Sequence, residues 1–203
     1  RDSGNMKNSK LFTPVTFGPL TLRNRTIRSA AFESMCPGNK PSDMLLDYHR
    51  SVAAGGIGMT TVAYAAVTQS GLSFDRQLWM RPEIIPGLRR LTDAIHQEGA
   101  AAGIQLGHCG NMSHKSICGC IPVGACSGFN LYSPTFVRGL RADELPEMAR
   151  AYGRSVNLAR EAGFDSVEIH AGHGYLISQF LSPSTNHRKD EYLSLIHISE
   201  PTR

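Results

Sequence analysis

The sequence predicts an α/β fold with a parallel sheet, because helices and apolar strands alternate along the chain. Three segments repeat one pattern, in which an amphipathic helix ends at a glycine and a short apolar run follows. The apolar runs do not alternate strictly with polar residues, which is typical of strands covered on both faces in a parallel sheet with crossover helices. No Gly-rich phosphate turn follows the first strand, which favours a (β/α)8 barrel over a doubly wound nucleotide-binding sheet. Four predicted strands make half of such a barrel.

The N-terminal region is predicted to contain an arm, a hairpin and the first strand. Residues 1–10, RDSGNMKNSK, are polar and are expected to form a disordered arm. Residues 11–24 have the pattern of a small hairpin, and residues 25–30 that of the first strand of the sheet. The first helix–glycine–strand repeat then occupies residues 42–67, with its strand at residues 59–67.

The second repeat has clear signals for both ends of its helix. Pro82 suits the first helical turn, and Gly99 suits the left-handed conformation that ends a helix. Residues 101–106 form the strand that follows. Four apolar side chains fall on one face of the helix: Ile85, Leu88, Leu91 and Ile95.

The third repeat leads to the fourth strand. Gly163 is the predicted stop of its helix, and residues 166–169 are the predicted strand. The apolar stripe of this helix is predicted to be Met148, Tyr152, Val156 and Ala159.

Length and charge exclude some classes of partner. The chain has 203 residues, 41% of them hydrophobic, and a net charge of +4. No apolar run reaches the roughly 18 residues of a membrane span, so no membrane partner is expected. Lys and Arg are spread along the chain rather than gathered in one run, which argues against nucleic acid as a partner.

The cysteines favour a reducing compartment. Their number is five, and the N-terminus lacks the apolar stretch of a signal peptide, which together indicate free thiols and a cytoplasmic location. The spacing C-x8-C-x-C-x5-C is not typical of zinc, so no metal site is expected there. That cluster comprises Cys109, Cys118, Cys120 and Cys126.

Polar side chains occur at each of the four predicted strand ends, where parallel α/β folds carry their functional residues. A single Gln or Tyr at such a position is more often a hydrogen-bonded packing residue than a ligand contact. Because buried polar groups are costly unless paired, their convergence on one rim favours a polar ligand. In strand order they are Ser29 and Glu33, then Tyr64, then Gln105 and His108, and finally His170, His173 and Tyr175.

The histidine pair after the fourth strand has two interpretations. His170 and His173 have a spacing compatible with zinc or iron, but no carboxylate or thiol lies where it would complete the ligand set. Alternatively, both imidazoles donate hydrogen bonds to a carbonyl or anionic oxygen, and Tyr175 acts as a general acid. That layout suits reduction of a carbon–carbon double bond conjugated to a carbonyl, although no nicotinamide fingerprint supplies the hydride.

Three stretches of the chain are similar to one known family. They read LFTPVTFGPLTLRNRTIRSA, AAGIQLGHCG and AGFDSVEIHAGHGYLISQFLSPSTNHRKDEY. The last is the most specific, since H-x-x-H-G-Y-L precedes Q-F-L-S-P and N-x-R-x-D-x-Y. These residues resemble the Old Yellow Enzyme group of NADH:flavin oxidoreductases, and the resemblance runs from Leu11 to Tyr192.

The resemblance implies an FMN-dependent (β/α)8 TIM barrel, of which residues 11–192 would be the N-terminal half. NAD(P)H would reduce FMN, and an activated alkene such as an enone or enoate would receive the hydride. In the same resemblance, His170 and His173 would bind the substrate carbonyl and Tyr175 would deliver the proton. The cofactor contacts implied are Ser29, Ala30, Ala31, Tyr64 and Gln105.

Some positions depart from the family pattern. The segment AAF stands where relatives often carry Pro, Thr or Cys, and Asn111 stands where an arginine is common. Residues 125–127 read ACS instead of APS. Substrate preference is therefore not carried over from the family.

The C-terminal residues 193–203, LSLIHISEPTR, resemble translated sequencing-adapter sequence more than evolved protein; a genuine short strand is the alternative. An N-terminal half barrel leaves strand edges unpaired, so we expect this fragment alone to bind FMN weakly and to be inactive. The expected small-molecule partner is an electron-poor alkene, and the full-length protein is expected to form a homo-oligomer. Alternative functions are an oxidative or iron–sulfur relative, such as an amine dehydrogenase or dienoyl-CoA reductase type.

Overall fold

The computed structural model describes residues 9–131 and 134–193. The predicted arm, apart from its last two residues, and the predicted tail after Leu193 lie outside the described residues. Lys10 already belongs to a 3-10 turn, Lys10–Phe12.

Fifteen strands and α-helices make up the described regular structure, apart from short 3-10 turns. The strands are β1 Val15–Phe17, β2 Leu20–Leu22, β3 Ile27–Arg28, β4 Met59–Ala66, β5 Leu78–Trp79, β6 Ala101–Gly107, β7 Val123–Gly124, β8 Gly128–Asn130, β9 Thr135–Gly139 and β10 Ser166–Ile169. The helices are α1 Asp43–Ala54, α2 Ile85–Gln97, α3 Lys115–Cys118, α4 Leu145–Glu161 and α5 Leu176–Leu181.

The central sheet is parallel and follows the order β10-β6-β4-β3, with β5 paired to β4. Strands that follow one another along the sequence are therefore neighbours in the sheet, joined by helical crossovers, as in a barrel. The four predicted strands are all present. The first is shorter than predicted, since only Ile27 and Arg28 pair with β4.

The helices cover one face of this sheet. Val62, Ile104 and Leu106 belong to one buried cluster with residues of α1, α2 and α4. Helix α1 begins at a capping serine, because the Ser42 hydroxyl accepts a hydrogen bond from the Leu45 amide at 3.1 Å. This helical layer fixes the strands in register, so that their carboxyl ends reach the same level.

The helix ends follow the sequence predictions closely. Gly99 and Gly163 both adopt positive φ, 76° and 90°, which a residue with a Cβ rarely adopts. The predicted stripe of α4 is wrong at Val156, which is 37% exposed, whereas Ser155 beside it is buried. The small Ser155 side chain fits the helix–sheet interface, and the apolar pattern alone could not identify it.

The other face of the sheet is more polar and more open than the sequence predicted. Gln105 and Glu168 lie directly opposite each other on β6 and β10. Helices α1, α2 and α4 pack against the face that holds Ile104 and Leu106, whereas Ile117 of α3 packs with Tyr64 and Ala66. The prediction that both faces are covered is therefore not met at Gln105, which is half-buried, and Glu168, which is exposed.

Additional elements lie outside the repeats. Strands β1 and β2 form the predicted antiparallel hairpin. Strand β9 pairs with β7 and β8 in a small sheet that the sequence did not predict, because each strand is only two to five residues long. Across the two described ranges, no helix has the length and hydropathy needed to cross a bilayer.

Candidate active site

A cavity of about 250 Å³ lies at the carboxyl ends of the central strands. Its lining includes seven of the eight residues to which the family resemblance gives a catalytic or cofactor-binding role: Ala30, Ala31, Tyr64, Gln105, His170, His173 and Tyr175. The eighth, Ser29, is exposed and does not line the cavity. Residues from all four strand ends therefore meet at one place, as expected for a parallel sheet.

His170, His173 and Tyr175 form a stacked group at one side of the cavity. The rings of His170 and Tyr175 are nearly parallel, with centroids 4.6 Å apart. His173 Nδ1 lies 3.1 Å from His170 Nε2. A glycine lies on each side of His173, which has a φ of 56°, a strained conformation that is enriched at functional sites.

The hydrogen bonds define the tautomer of His170. Its Nδ1 accepts a hydrogen bond from the Gly172 amide at 3.1 Å, so the proton of the neutral ring is on Nε2. Burial lowers the pKa of His170, and the nearby His173 acts in the same direction. His170 is therefore a neutral donor through Nε2, and that proton is directed at His173 Nδ1. An oxygen between these two nitrogens could accept hydrogen bonds from both rings once His173 also carries a proton on Nδ1.

Tyr175 and Tyr64 have different partners. The Tyr64 hydroxyl donates to the Gly71 carbonyl at 2.5 Å, which leaves its ring edge-on to Tyr175 at 5.5 Å. Tyr175 is the N-cap of α5 and lines the cavity, with the Ser73 side chain as a hydrogen-bond neighbour of its hydroxyl. Burial raises the pKa of Tyr175, so the phenol remains protonated at neutral pH and is available as an acid.

A local irregularity in β4 sets the position of Tyr64. The register between β4 and β6 shifts between Val62 and Ala65, so Ala63 and Tyr64 form a bulge. Bulges re-aim side chains and are frequent beside functional sites. Ala63 and Tyr64 both line the cavity here.

Gln105 is held by the neighbouring strand. Its Nε2 donates to the Glu168 carboxylate, and both residues belong to the open face of the sheet. The amide oxygen of Gln105 stays available as an acceptor, while its nitrogen is a donor. Gln105 therefore offers both functions of an amide at the cavity.

A buried ionic network supports the other side of the cavity, and only part of it was apparent in the sequence. Glu33 was noted at the end of the first strand, but its partners come from distant positions. Glu33 Oε1 lies 2.9 Å from both Arg28 and His49, and its Oε2 accepts from the Ala63 amide at 3.2 Å. His49 in turn contacts the Thr60 hydroxyl at 2.8 Å. The signal that could have indicated this network is a histidine within the apolar face of α1.

His108 is a structural histidine rather than a cavity residue. Its Nδ1 accepts from the Gly110 amide and its Nε2 contacts the Ser70 hydroxyl, both at 3.0 Å. Complete burial lowers the pKa of His108 from 6.5 to about 4. The folded protein therefore keeps His108 neutral at pH values where the unfolded chain binds a proton.

This difference in proton binding predicts acid sensitivity. As pH falls from 6.5 towards 4, the unfolded chain gains a proton that folded His108 does not, so stability decreases by about 3 kcal/mol. Below pH 4 both states are protonated and the loss levels off. Urea unfolding at pH 7 and pH 4.5 should show a steeper loss in the wild type than in His108→Gln. Equal pH dependence in the two proteins would contradict this assignment.

Comparison with known proteins gives a consistent result. The family model described as NADH:flavin oxidoreductase / NADH oxidase matches residues 10–194. A 4,4'-dithiodibutanoate disulfide reductase of Rhodococcus erythropolis is 41% identical over 182 residues, which are 90% of this chain and 45% of that protein. An NADPH dehydrogenase of Bacillus subtilis (strain 168) is 37% identical over 186 residues, with 90% and 54% coverage.

A solved structure agrees with these relatives. The old yellow enzyme homologue of Zymomonas mobilis superposes with a TM-score of 0.83 at 29% identity, covering 91% of this chain and 54% of its own. The chain spans about half the length of the relatives it matches.

Proposed function

Because the chain belongs to the NADH:flavin oxidoreductase / NADH oxidase family, we propose that its protein reduces alkenes conjugated to a carbonyl, using FMN and NAD(P)H. The fold agrees with the sequence prediction, since the chain forms the N-terminal part of an old yellow enzyme barrel. The observation that carries the proposal is the placement of two imidazoles and a protonated phenol around one cavity.

The cavity suits the cofactor of this family. Ala30, Ala31 and Ala63 have the smallest side chains with a Cβ, so they leave room for a flat ring system. The amide of Gln105 can pair with a ring edge on which N–H and C=O groups alternate. FMN, when bound, supplies the hydride transfer that no side chain can perform.

The histidine pair is proposed to bind the substrate carbonyl. His170 already has its donor at Nε2, and His173 Nδ1 faces the same point. A carbonyl oxygen placed there replaces the bond between the two rings, provided that His173 becomes the Nδ1–H tautomer or an imidazolium. Two hydrogen bonds to that oxygen withdraw electrons from the conjugated alkene and stabilise the enolate that forms during reduction.

Tyr175 is proposed to protonate the α carbon. A hydride adds to the β carbon of the alkene, and the electron pair of the double bond then takes a proton at the α carbon. Among the two cavity phenols, Tyr64 donates its hydroxyl to a backbone carbonyl, whereas within the described residues the Tyr175 hydroxyl has the Ser73 side chain as its partner. The overall balance is alkene plus NAD(P)H plus one proton giving the saturated carbonyl and NAD(P)⁺.

Disulfide reduction is a second candidate, because the relative that is 41% identical is named as a disulfide reductase. In that reaction a hydride equivalent cleaves the sulfur–sulfur bond, and two thiols form with the uptake of one proton. The histidine pair or Tyr175 would then protonate a leaving thiolate rather than a carbon. This candidate needs no conjugated carbonyl in the substrate.

One experiment separates these functions. Anaerobic protein expressed from its complete gene and loaded with FMN should consume one NADPH per cyclohexenone reduced, and in D₂O should place one deuterium on the α carbon. NADPH consumption with 4,4'-dithiodibutanoate but not with cyclohexenone would instead favour disulfide reduction.

The 203-residue chain tested in parallel should bind FMN weakly, and a soluble monomer with stoichiometric flavin would contradict that expectation.

A further inference from the structure

We propose that Arg76 binds a carboxylate of the substrate, so that the preferred substrates are anionic electrophiles. This inference rests on the proposed function, because it concerns the same cavity. Arg76 lines the cavity together with His170, His173 and Tyr175, and its side chain is exposed.

The charges that line the cavity do not cancel. Glu33 and Arg76 are the acidic and the basic residue of its lining. The Glu33 carboxylate lies 2.9 Å from the Arg28 guanidinium, which neutralises it. Among the residues that the structure describes, Arg76 has no side-chain hydrogen bond or ion pair, so one positive charge is left without a counter-ion.

The backbone that carries Arg76 is fixed at the cavity. The Arg76 carbonyl accepts from the Cys36 amide at 3.1 Å. The residues on either side, Asp75 and Gln77, both accept from the Asn39 side chain at 2.8 Å. The buried Gln77 side chain closes the loop by accepting from the Ser73 amide at 2.9 Å.

A fixed backbone with a free guanidinium is suited to binding an external anion. Guanidinium groups match carboxylates through two parallel hydrogen bonds, and part of the entropy cost is avoided when the backbone is already ordered. The charge is close enough to Cys36 to counteract, in part, the rise of the pKa of that thiol to about 12, which burial mainly causes. Arg76 therefore acts on the interior of the cavity and not only on bulk solvent.

The expected substrate has two functional parts. Its electrophilic end contacts the histidine pair, and its carboxylate reaches Arg76 at the loop between the short 3-10 turn Gln69–Gly71 and β5. A neutral analogue of the same shape would keep the first contact and lose the second. Substrate charge is thus predicted to act on binding rather than on the chemical step.

The test compares a cyclohexenone that carries a propanoate side chain with its methyl ester, in FMN-loaded protein expressed from the complete gene. Arg76→Gln should lower kcat/KM for the acid by about tenfold relative to the ester, mainly through KM. Arg76→Lys should retain part of the preference, and higher salt should weaken it. Arg160→Gln removes another exposed arginine, on α4 and outside the cavity lining, and should leave the acid-to-ester ratio unchanged.

Calorimetric titration of the acid without NADPH gives a readout that is independent of turnover. Wild-type protein should bind the acid about tenfold more tightly than Arg76→Gln does. Equal losses for acid and ester, or no change in either, would overturn the role of Arg76. If the wild type reduces neither compound but binds the acid through Arg76, the proposed alkene reduction fails while this inference stands.

Discussion

Tyr175→Phe is expected to slow alkene-dependent reoxidation of the FMN-loaded protein by about 10²- to 10⁴-fold, the usual contribution of a positioned general acid. Reduction of the same protein by NAD(P)H should keep its wild-type rate, because that half-reaction needs no proton from the phenol. The ring itself is retained, so its stacking on His170 at 4.6 Å is preserved. The loss is therefore specific to the hydroxyl.

Rapid mixing of the two half-reactions under anaerobic conditions measures this difference. Tyr152→Phe is the matched control, since it removes one phenolic oxygen from α4 outside the cavity and should leave both rates unchanged. Equal slowing of both half-reactions in Tyr175→Phe would remove Tyr175 from the role of proton donor. Burial raises the pKa of Tyr175, so the phenol stays protonated through neutral pH. Titration of Tyr175 should therefore cause no change in the wild-type rate of alkene-dependent reoxidation in that range.

The repeating part of the fold could be predicted because its signals are local. The glycines at 99 and 163 and the apolar face of α2 each reflect a conformation or a packing surface that the sequence itself specifies. Strand ends could then be located, and with them the cavity residues His170, His173 and Tyr175. The family resemblance added roles that spacing alone could not assign.

The rest depends on contacts between distant residues. The bulge at Ala63 and Tyr64 arises from how β4 pairs with β6, which no local pattern indicates. The small sheet of β7, β8 and β9 consists of strands too short for a periodic pattern. Val156 was assigned to the core because it is apolar, but tertiary packing selected Ser155 instead.

The ionic network at Glu33 was the most important omission, because it joins three elements beneath the cavity. Arg28 belongs to β3, His49 to α1 and Ala63 to β4, and each contacts the Glu33 carboxylate. The side chains of Glu33 and His49 are 5% and 0% exposed. The loop that carries Ala30 and Ala31 into the cavity is thereby fixed at its far end, which makes this network a support of the proposed cofactor site.

Glu33→Ala is therefore expected to destabilise the fold by about 3–5 kcal/mol, because it leaves the largely buried Arg28 guanidinium without its counter-ion and the buried His49 ring without its partner. Urea unfolding at neutral pH would measure the loss. Glu83→Ala is the matched control: its carboxylate is 72% exposed and 3.9 Å from Arg81, so about 0.5 kcal/mol or less is expected. If both variants lose the same small amount, the network is not a structural support. The geometry predicts that Glu33→Ala is strongly destabilised and that adding Arg28→Met together with His49→Leu restores stability. That result would show that the lost free energy of unfolding comes from the groups left unpaired rather than from lost packing.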